Sequence, residues 1–381
     1  MDEPPVLLTP GPVALPPEVI SAMERPMEYH RSATFQDVYG GVLEKLQRIA
    51  RTSSEVVLFT SSGTGALESA VSNLVSPADR VLVVSAGYFG ERWGAIAEAY
   101  GAEVDALHYE WGRVPDPDEV AARLAASPAD IVFFTQCETS TGVVSDVSAI
   151  AAVATAAGAL SVVDCVSGLG AVPLEMDEWG VDVVVSGSQK ALLTPPGLAL
   201  AAFSGRARDR ALSTSRAFYF SWERAVAAQE SNRSPFTPAV SLVWALDAAT
   251  DIIMETGVEA MWERSRGLGA ACRAGVQAAG LSLFSPDADA SSVVTAVAMP
   301  ESVDGQEVVA RVRSDASLAI AGGQGELRGR IVRIGHIGWI TSSDLAAGVR
   351  AVAAAVTDGG YRADPDAGHA AVLAGAPAVA P

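Results

Sequence analysis

LSVVDCVSGLGAVPLEMDEWGVDVVVSGSQKALLTPPGLALAAF, residues 160–203, contains three apolar runs separated by turn-rich segments. Leu160 to Val163, Val181 to Val185 and Leu198 to Phe203 read as strands covered on both faces, because apolar residues dominate each run rather than alternating with polar ones. Asp164 closes the first run. Lys190 follows the second through Ser186, Gly187, Ser188 and Gln189. In a parallel sheet such positions share the carboxyl edge, where folds of this kind bind ligands.

Moving outward, similar runs occur at Val56 to Phe59, Val81 to Val84 and Ile131 to Phe134. Helix-period segments lie between them. Leu67, Ala70, Val71 and Leu74 share one face of Thr64 to Leu74, and Val147, Ile150, Ala151 and Ala154 share another. This alternation predicts an α/β fold with a mainly parallel sheet in a large domain. After about Thr256, helical and strand patterns at Met261 to Ala279, Val293 to Ala298 and Ile331 to Ile334 predict a smaller C-terminal α/β domain. The expected division is an arm at 1–16, a large domain at 17–255, a small domain at 256–360 and a disordered tail at 361–381. LLTPGPVALPP in the arm is too proline-rich for regular structure, and the tail is dominated by Ala, Pro, Gly and Asp.

Composition removes several function classes. Of 381 residues, 49% are apolar and 19% charged, as in a globular enzyme. A net charge of -19 disfavours nucleic acid and anionic lipid, which need clustered cations. Met1 to Pro5 carries two acids and no basic leader, and no apolar run is long enough to span a bilayer. A cytoplasmic location is the expectation. Cys137, Cys165 and Cys272 are odd in number without metal-ligand spacing, and the four histidines are scattered, so neither a disulfide framework nor a metal site is expected.

The 26 basic residues include only two lysines, Lys45 and Lys190. Lys45 shares the polar side of GGVLEKLQRIAR with Glu44 and Arg48 and reads as a solvated surface charge. Lys190 follows an apolar strand with no acid in the adjacent segment. A chain whose other cations are arginines apart from Lys45 has a specific use for an amine there.

VVLFTSSGTGALES places a Gly-rich turn between a strand and a helix, where free N–H groups can hold a phosphate. It is a poor dinucleotide fingerprint, because Gly63-x-Gly65 lacks the third glycine and the next strand ends in Ser85 rather than an acid. Thr139, just after IVFFTQCE, supplies a third polar group at a strand end. Read alone, Asp164 can be a turn former and Thr139 a structural hydroxyl. Together with Lys190 they supply what pyridoxal phosphate chemistry needs: an amine for the imine, a carboxylate for the pyridine nitrogen and a donor for the ring hydroxyl.

The chain resembles the class V, fold-type I aminotransferases of the alanine:glyoxylate or serine:glyoxylate (serine:pyruvate) group. The resemblance rests on LLTPGP, His30-Arg31, SSGTGALES, GYFGERW, ETSTGV, VVDCVSGLG, VSGSQKALLTPPGL, FTPAVSL and VRIGHIG, in that order over most of the chain. It implies that Lys190 is the Schiff-base lysine and proton shuttle, that Asp164 pairs with the pyridinium nitrogen and that Thr139 donates to the ring hydroxyl. Ser62, Gly63, Thr64 and Gln189 match phosphate-cup positions. Phe89 matches the aromatic stacked on the ring, which is Trp in some relatives. Arg333 matches the arginine that grips the substrate carboxylate, and Gly11 a backbone contact beside it. Thr237, with Ser234 and Phe236 as alternatives, matches a loop residue that reaches the partner subunit's phosphate, which implies a homodimer with shared active sites.

The expected activity is transfer of an amino group from alanine, serine or aspartate to a 2-oxo acid such as glyoxylate or pyruvate, with ping-pong kinetics. Rivals are a same-fold cysteine desulfurase, lyase or epimerase, a pyridoxamine:pyruvate transaminase, and a non-catalytic cofactor-binding protein. Gln189, where desulfurases usually carry His before the lysine, speaks against the first.

Overall fold

A computed structural model describes residues 5–377. Its large sheet has seven strands in the order Glu55–Ser61, Gly197–Phe203, Val183–Gly187, Leu160–Asp164, Ile131–Thr135, Arg80–Ser85, Glu103–His108. Gly197–Phe203 runs antiparallel to both neighbours, and every other pairing except those two is parallel. Mainly parallel is therefore the right description. The edge strand Glu103–His108 has no counterpart among the expected strands. It is only partly covered, so its sequence mixes Glu103, Asp105 and His108 with apolar residues.

Successive side chains on a strand face opposite sides. Val57, Phe59, Val83 and Phe133 pack on one face with the helices Gly63–Leu74 and Tyr88–Ala99, and Trp93 stacks on Phe133 with ring centroids 4.7 Å apart. Leu58, Val84, Val132 and Phe134 pack on the other face with Ala33–Ala50, Val147–Ala156 and Val240–Thr256. Among the described residues no helix is long and apolar enough to cross a membrane.

The C-terminal part builds an antiparallel sheet in the order Ser282–Leu283, Val294–Ala298, Ile331–Gly335, Ala321–Gly322. Helices Val258–Ala278, Gly305–Ala316 and Ser342–Asp358 share a core with it.

The arm is not wholly irregular: Val6–Leu7 pairs in parallel with Leu318–Ala319, the Gly335 N–H donates to the Leu8 carbonyl at 2.7 Å, and Leu8 is buried in the small-sheet core. The tail is not disordered over residues 361–377 either, since Pro365–Gly375 is a helix capped by the Asp364 carboxylate. Its small residues allow close packing. A Cβ on Gly275 would sit 2.4 Å from Val372 Cγ2, and one on Gly368 would meet Ala279 at 3.0 Å. What read as low complexity is a helix–helix contact surface. Residues 378–381 lie outside the described residues.

Lys45 also differs from expectation. Its Nζ lies 2.6 Å from both Asp247 Oδ1 and Asp251 Oδ1, tying Ala33–Ala50 to Val240–Thr256.

Candidate active site

The strand Val183–Gly187 ends in a turn held by Ser188, whose hydroxyl donates to the Pro195 carbonyl at 2.5 Å and accepts from Leu198 N–H at 3.2 Å. Lys190 sits on this turn, before the chain reverses into Gly197–Phe203. Its side chain is buried, and Nζ donates to the Pro10 carbonyl at 2.6 Å. The arm covers the lysine closely: a Cβ on Gly11, at φ +128°, would fall 2.2 Å from Lys190 Cδ. Only glycine fits there. Burial lowers the Lys190 pKa to about 8, the positive charge of Arg333 adds to this, and Asp164 opposes it. A substantial neutral fraction near physiological pH is what a nucleophilic amine requires.

Asp164 ends Leu160–Asp164 and accepts from Val166 N–H at 2.8 Å. Burial raises its pKa to about 6. An adjacent cation, such as a protonated ring nitrogen, would favour the carboxylate form. Asp164 and Lys190 line one cavity of about 280 Å³ with Gly11, Ser62, Gly63, Thr64, Phe89 and Gln189, so eight of the eleven predicted site residues meet there. A larger cavity of about 410 Å³, between helices Gly305–Ala316 and Ser342–Asp358, contains none of them.

Ser62 caps Gly63–Leu74, yet its hydroxyl makes no capping bond, and the first N–H groups of a helix have no helical acceptors. Gly63 approaches the strand that leads to Lys190 so closely that a Cβ on Gly187 would meet Gly63 Cα at 3.2 Å. Gln189 Oε1 is buried without a partner. The uncommitted Ser62 hydroxyl and the free helix amides make an anion cup, which Gln189 can join only through its amide nitrogen and not through the acceptor Oε1.

Phe89 lies in the first turn of the helix Tyr88–Ala99, and Arg92 extends over its ring with Cζ 4.9 Å from the centroid. Arg92 Nη1 also donates to Thr64 Oγ1 at 2.9 Å. Sequence reasoning assigned no role to Arg92, although its position three residues after Phe89 on one helix was a usable signal. It likewise missed Cys137, Val166, Ser167 and Pro196 in the cavity wall.

Arg333 and Thr139 occupy one corner. Arg333, on Ile331–Gly335, is buried, with Nε donating to the Gly322 carbonyl and Nη1 to the Thr139 carbonyl, both at 2.9 Å. Desolvation lowers its pKa to about 10, while the charge of Glu138 opposes the shift. No ion pair to it occurs among the described residues. Neither Thr139 nor Arg333 is part of the cavity wall, and the Thr139 contact to Arg333 uses the backbone carbonyl. Thr237, Ser234 and Phe236 line a separate pocket beside Thr60 and Tyr219.

The thiols are poor nucleophiles. All three are buried, burial pushes Cys137 and Cys272 up to about 12, and Cys165 is raised well above its ordinary value.

The family model described as Aminotransferase class-V matches residues 7–327. The chain is a class-V aminotransferase. It is 37% identical to a protein of Synechococcus sp. (strain PCC 6716) named the small subunit of a soluble hydrogenase, covering 97% of this chain and 98% of that one. It is 34% identical to the L-aspartate–glyoxylate aminotransferase of Paracoccus denitrificans, covering 90% and 89%. A crystal structure of the pyridoxamine–pyruvate aminotransferase from Mesorhizobium loti superposes with a TM-score of 0.93 at 32% identity, covering 98% and 97%. The aminotransferase is therefore a fold-type I enzyme that uses pyridoxal 5'-phosphate. Its cavity fits that cofactor, because the cup of Ser62, Gly63 and Thr64, Lys190 and Asp164 all line it.

Proposed function

We propose that this aminotransferase moves the amino group of a small amino acid, with alanine, serine and aspartate as candidates, to glyoxylate or pyruvate. The observation that carries the reading is the Lys190 amine, buried with a pKa near 8 in one cavity with Asp164, while Arg333 holds a buried guanidinium that no ion pair among the described residues engages. When bound, pyridoxal phosphate supplies the electron-poor ring that acidifies the substrate Cα–H. Lys190 Nζ would take that proton from the substrate Cα and return it two bonds away, on the far side of the nitrogen being transferred. Arg333 grips the substrate carboxylate with its planar fork, and Asp164 keeps the ring nitrogen protonated. Thr139 donates to the ring hydroxyl, and burial keeps water away from these charges.

Glyoxylate leads as acceptor because the Paracoccus relative is named for it. The Mesorhizobium structure supports a second reading, with pyridoxamine as donor and pyruvate as acceptor. A cup equipped to hold a phosphate favours the first, since pyridoxamine carries none.

Thr237 is read as a ligand to the partner subunit's phosphate in a homodimer. Its own chain leaves it outside the Lys190 cavity, and Phe218 and Tyr219 are exposed nearby, with Tyr219 stacked on Phe236. Gly257, at φ +90° between Val240–Thr256 and Val258–Ala278, supports a division into 17–255 and 256–360. The three free thiols support a cytoplasmic location.

The test adds alanine, serine, aspartate or pyridoxamine singly to the purified, cofactor-loaded enzyme. A competent amino acid bleaches the visible absorbance, and glyoxylate or pyruvate restores it. Pyridoxal formation from pyridoxamine and pyruvate by the cofactor-free enzyme, with no amino acid bleaching the loaded one, would overturn the main reading in favour of the second.

A further inference from the structure

Glu138 opens the ETSTG segment but has no role in the scheme above. Its carboxylate is fully enclosed, yet it is well served by donors. Oε2 accepts from the N–H groups of Phe89 at 3.0 Å and Gly90 at 2.9 Å, and Oε1 accepts from Ser140 N–H at 3.1 Å and the Ser140 hydroxyl at 2.6 Å. The first pair belongs to the start of Tyr88–Ala99 and the second to the turn after Ile131–Thr135. One carboxylate thus joins two segments 48 to 49 positions apart in sequence. Gly87 leaves it room, because a Cβ there would lie 2.6 Å from Glu138 Cγ and 2.5 Å from Ser140 Oγ.

The two segments carry separate parts of the site. Phe89 is the ring-stacking side chain, and Thr139 lies between the carboxylate and Ser140 in sequence while its carbonyl holds Arg333 at 2.9 Å. Glu138 also supports the Arg333 charge electrostatically.

We propose that Glu138 is a positioning residue: its carboxylate clamps the backbone beneath Phe89 to the Thr139–Ser140 turn, and so sets the stacking ring, the ring-hydroxyl donor and the carboxylate-binding arginine in one register. The inference rests on the roles given above to Phe89, Thr139 and Arg333. A buried carboxylate accepting four bonds from two segments is a stiff joint, because leaving any donor unmet in a desolvated site is costly. An ångström of displacement between cofactor and substrate carboxylate is enough to slow catalysis severely.

The test uses the cofactor-loaded full-length enzyme with Glu138→Gln, which keeps the shape but replaces one acceptor oxygen with an amide that opposes donors. Ser140→Ala removes one of the four donors and serves if the first variant does not fold. The cofactor's visible circular dichroism should change in the folded variant at full cofactor occupancy. The kcat should fall on the order of 10²-fold, and Ser140→Ala should move the same signals by less. Glu138→Asp should restore part of the dichroism. A variant that is merely less heat-stable, with wild-type dichroism, KM and kcat, would overturn the proposal. Dichroism reads the cofactor without any amino donor, so a wrong substrate assignment leaves the clamp testable.

Discussion

The surroundings of the two lysines answer the same question in opposite ways. Lys190 is enclosed by the arm, strand ends and a nearby arginine, and no carboxylate touches its nitrogen; its hydrogen bond goes to a neutral carbonyl. Lys45 lies between two helices with two carboxylates at 2.6 Å. Burial alone would lower its pKa too, but the bonds it donates to Asp247 and Asp251, with their charges, outweigh that and raise it. An amine becomes reactive where it is desolvated without compensation, and inert where acids hold its proton. Reactivity in this chain is decided by what each lysine faces.

If that contrast is right, Lys190→Ala has the largest effect. The kcat should fall on the order of 10⁴-fold, and the visible absorbance of lysine-linked cofactor should vanish on mixing protein with pyridoxal phosphate. A variant that keeps the absorbance breaks the assignment. The next largest effect belongs to Arg333→Gln. Losing a charged, forked partner should raise the KM for the amino acid roughly 10- to 100-fold, measured in steady-state kinetics over the full substrate range. Without its positive charge, Lys190 should also hold its proton to higher pH.

That shift sharpens the comparison. Cofactor uptake by the cofactor-free protein should accelerate with pH around a midpoint near 8, and Arg333→Gln should move the midpoint upward. The same group has a stability signature. Between about 8 and the ordinary value of 10.5, the unfolded chain holds the Lys190 proton and the folded chain does not, so rising pH favours folding across this window. Lys190→Met should abolish that rise in a urea titration of the cofactor-free protein.

How much of this the sequence discloses depends on the distance between cooperating residues. Asp164 and Lys190 were legible because one ends, and the other closely follows, a strand with a mainly apolar run, so the sheet edge follows from the pattern. Ser62, Gly63 and Thr64 were legible as a turn opening a helix. Arg333 was not selectable from context among so many arginines. The carbonyls that hold it come from Gly322 and Thr139, 11 and 194 positions away, and only the fold brings them together. The edge strand Glu103–His108 was missed because half-exposed strands keep polar residues, and the last helix because Gly and Ala read as looseness when they serve close contact.

Lys45→Ala provides the smallest effect and the cleanest control. Its partners, Asp247 and Asp251, stand four residues apart on Val240–Thr256, and Asp251 is largely exposed. Removing the amine forfeits two partly screened ion pairs and leaves like charges facing each other across one helical turn. The first change is worth under about 1 kcal/mol per pair and the second a few tenths. A total of about 1 kcal/mol should lower Tm by roughly 2 °C in a chain of this length. The deficit should shrink at high salt, since screening weakens the wild-type attraction and the variant's repulsion alike. KM, kcat and the uptake midpoint should stay at wild-type values. A midpoint that moved with Lys45 would mean that the two environments are coupled through the sheet, and the contrast between a reactive and an inert amine would no longer be local.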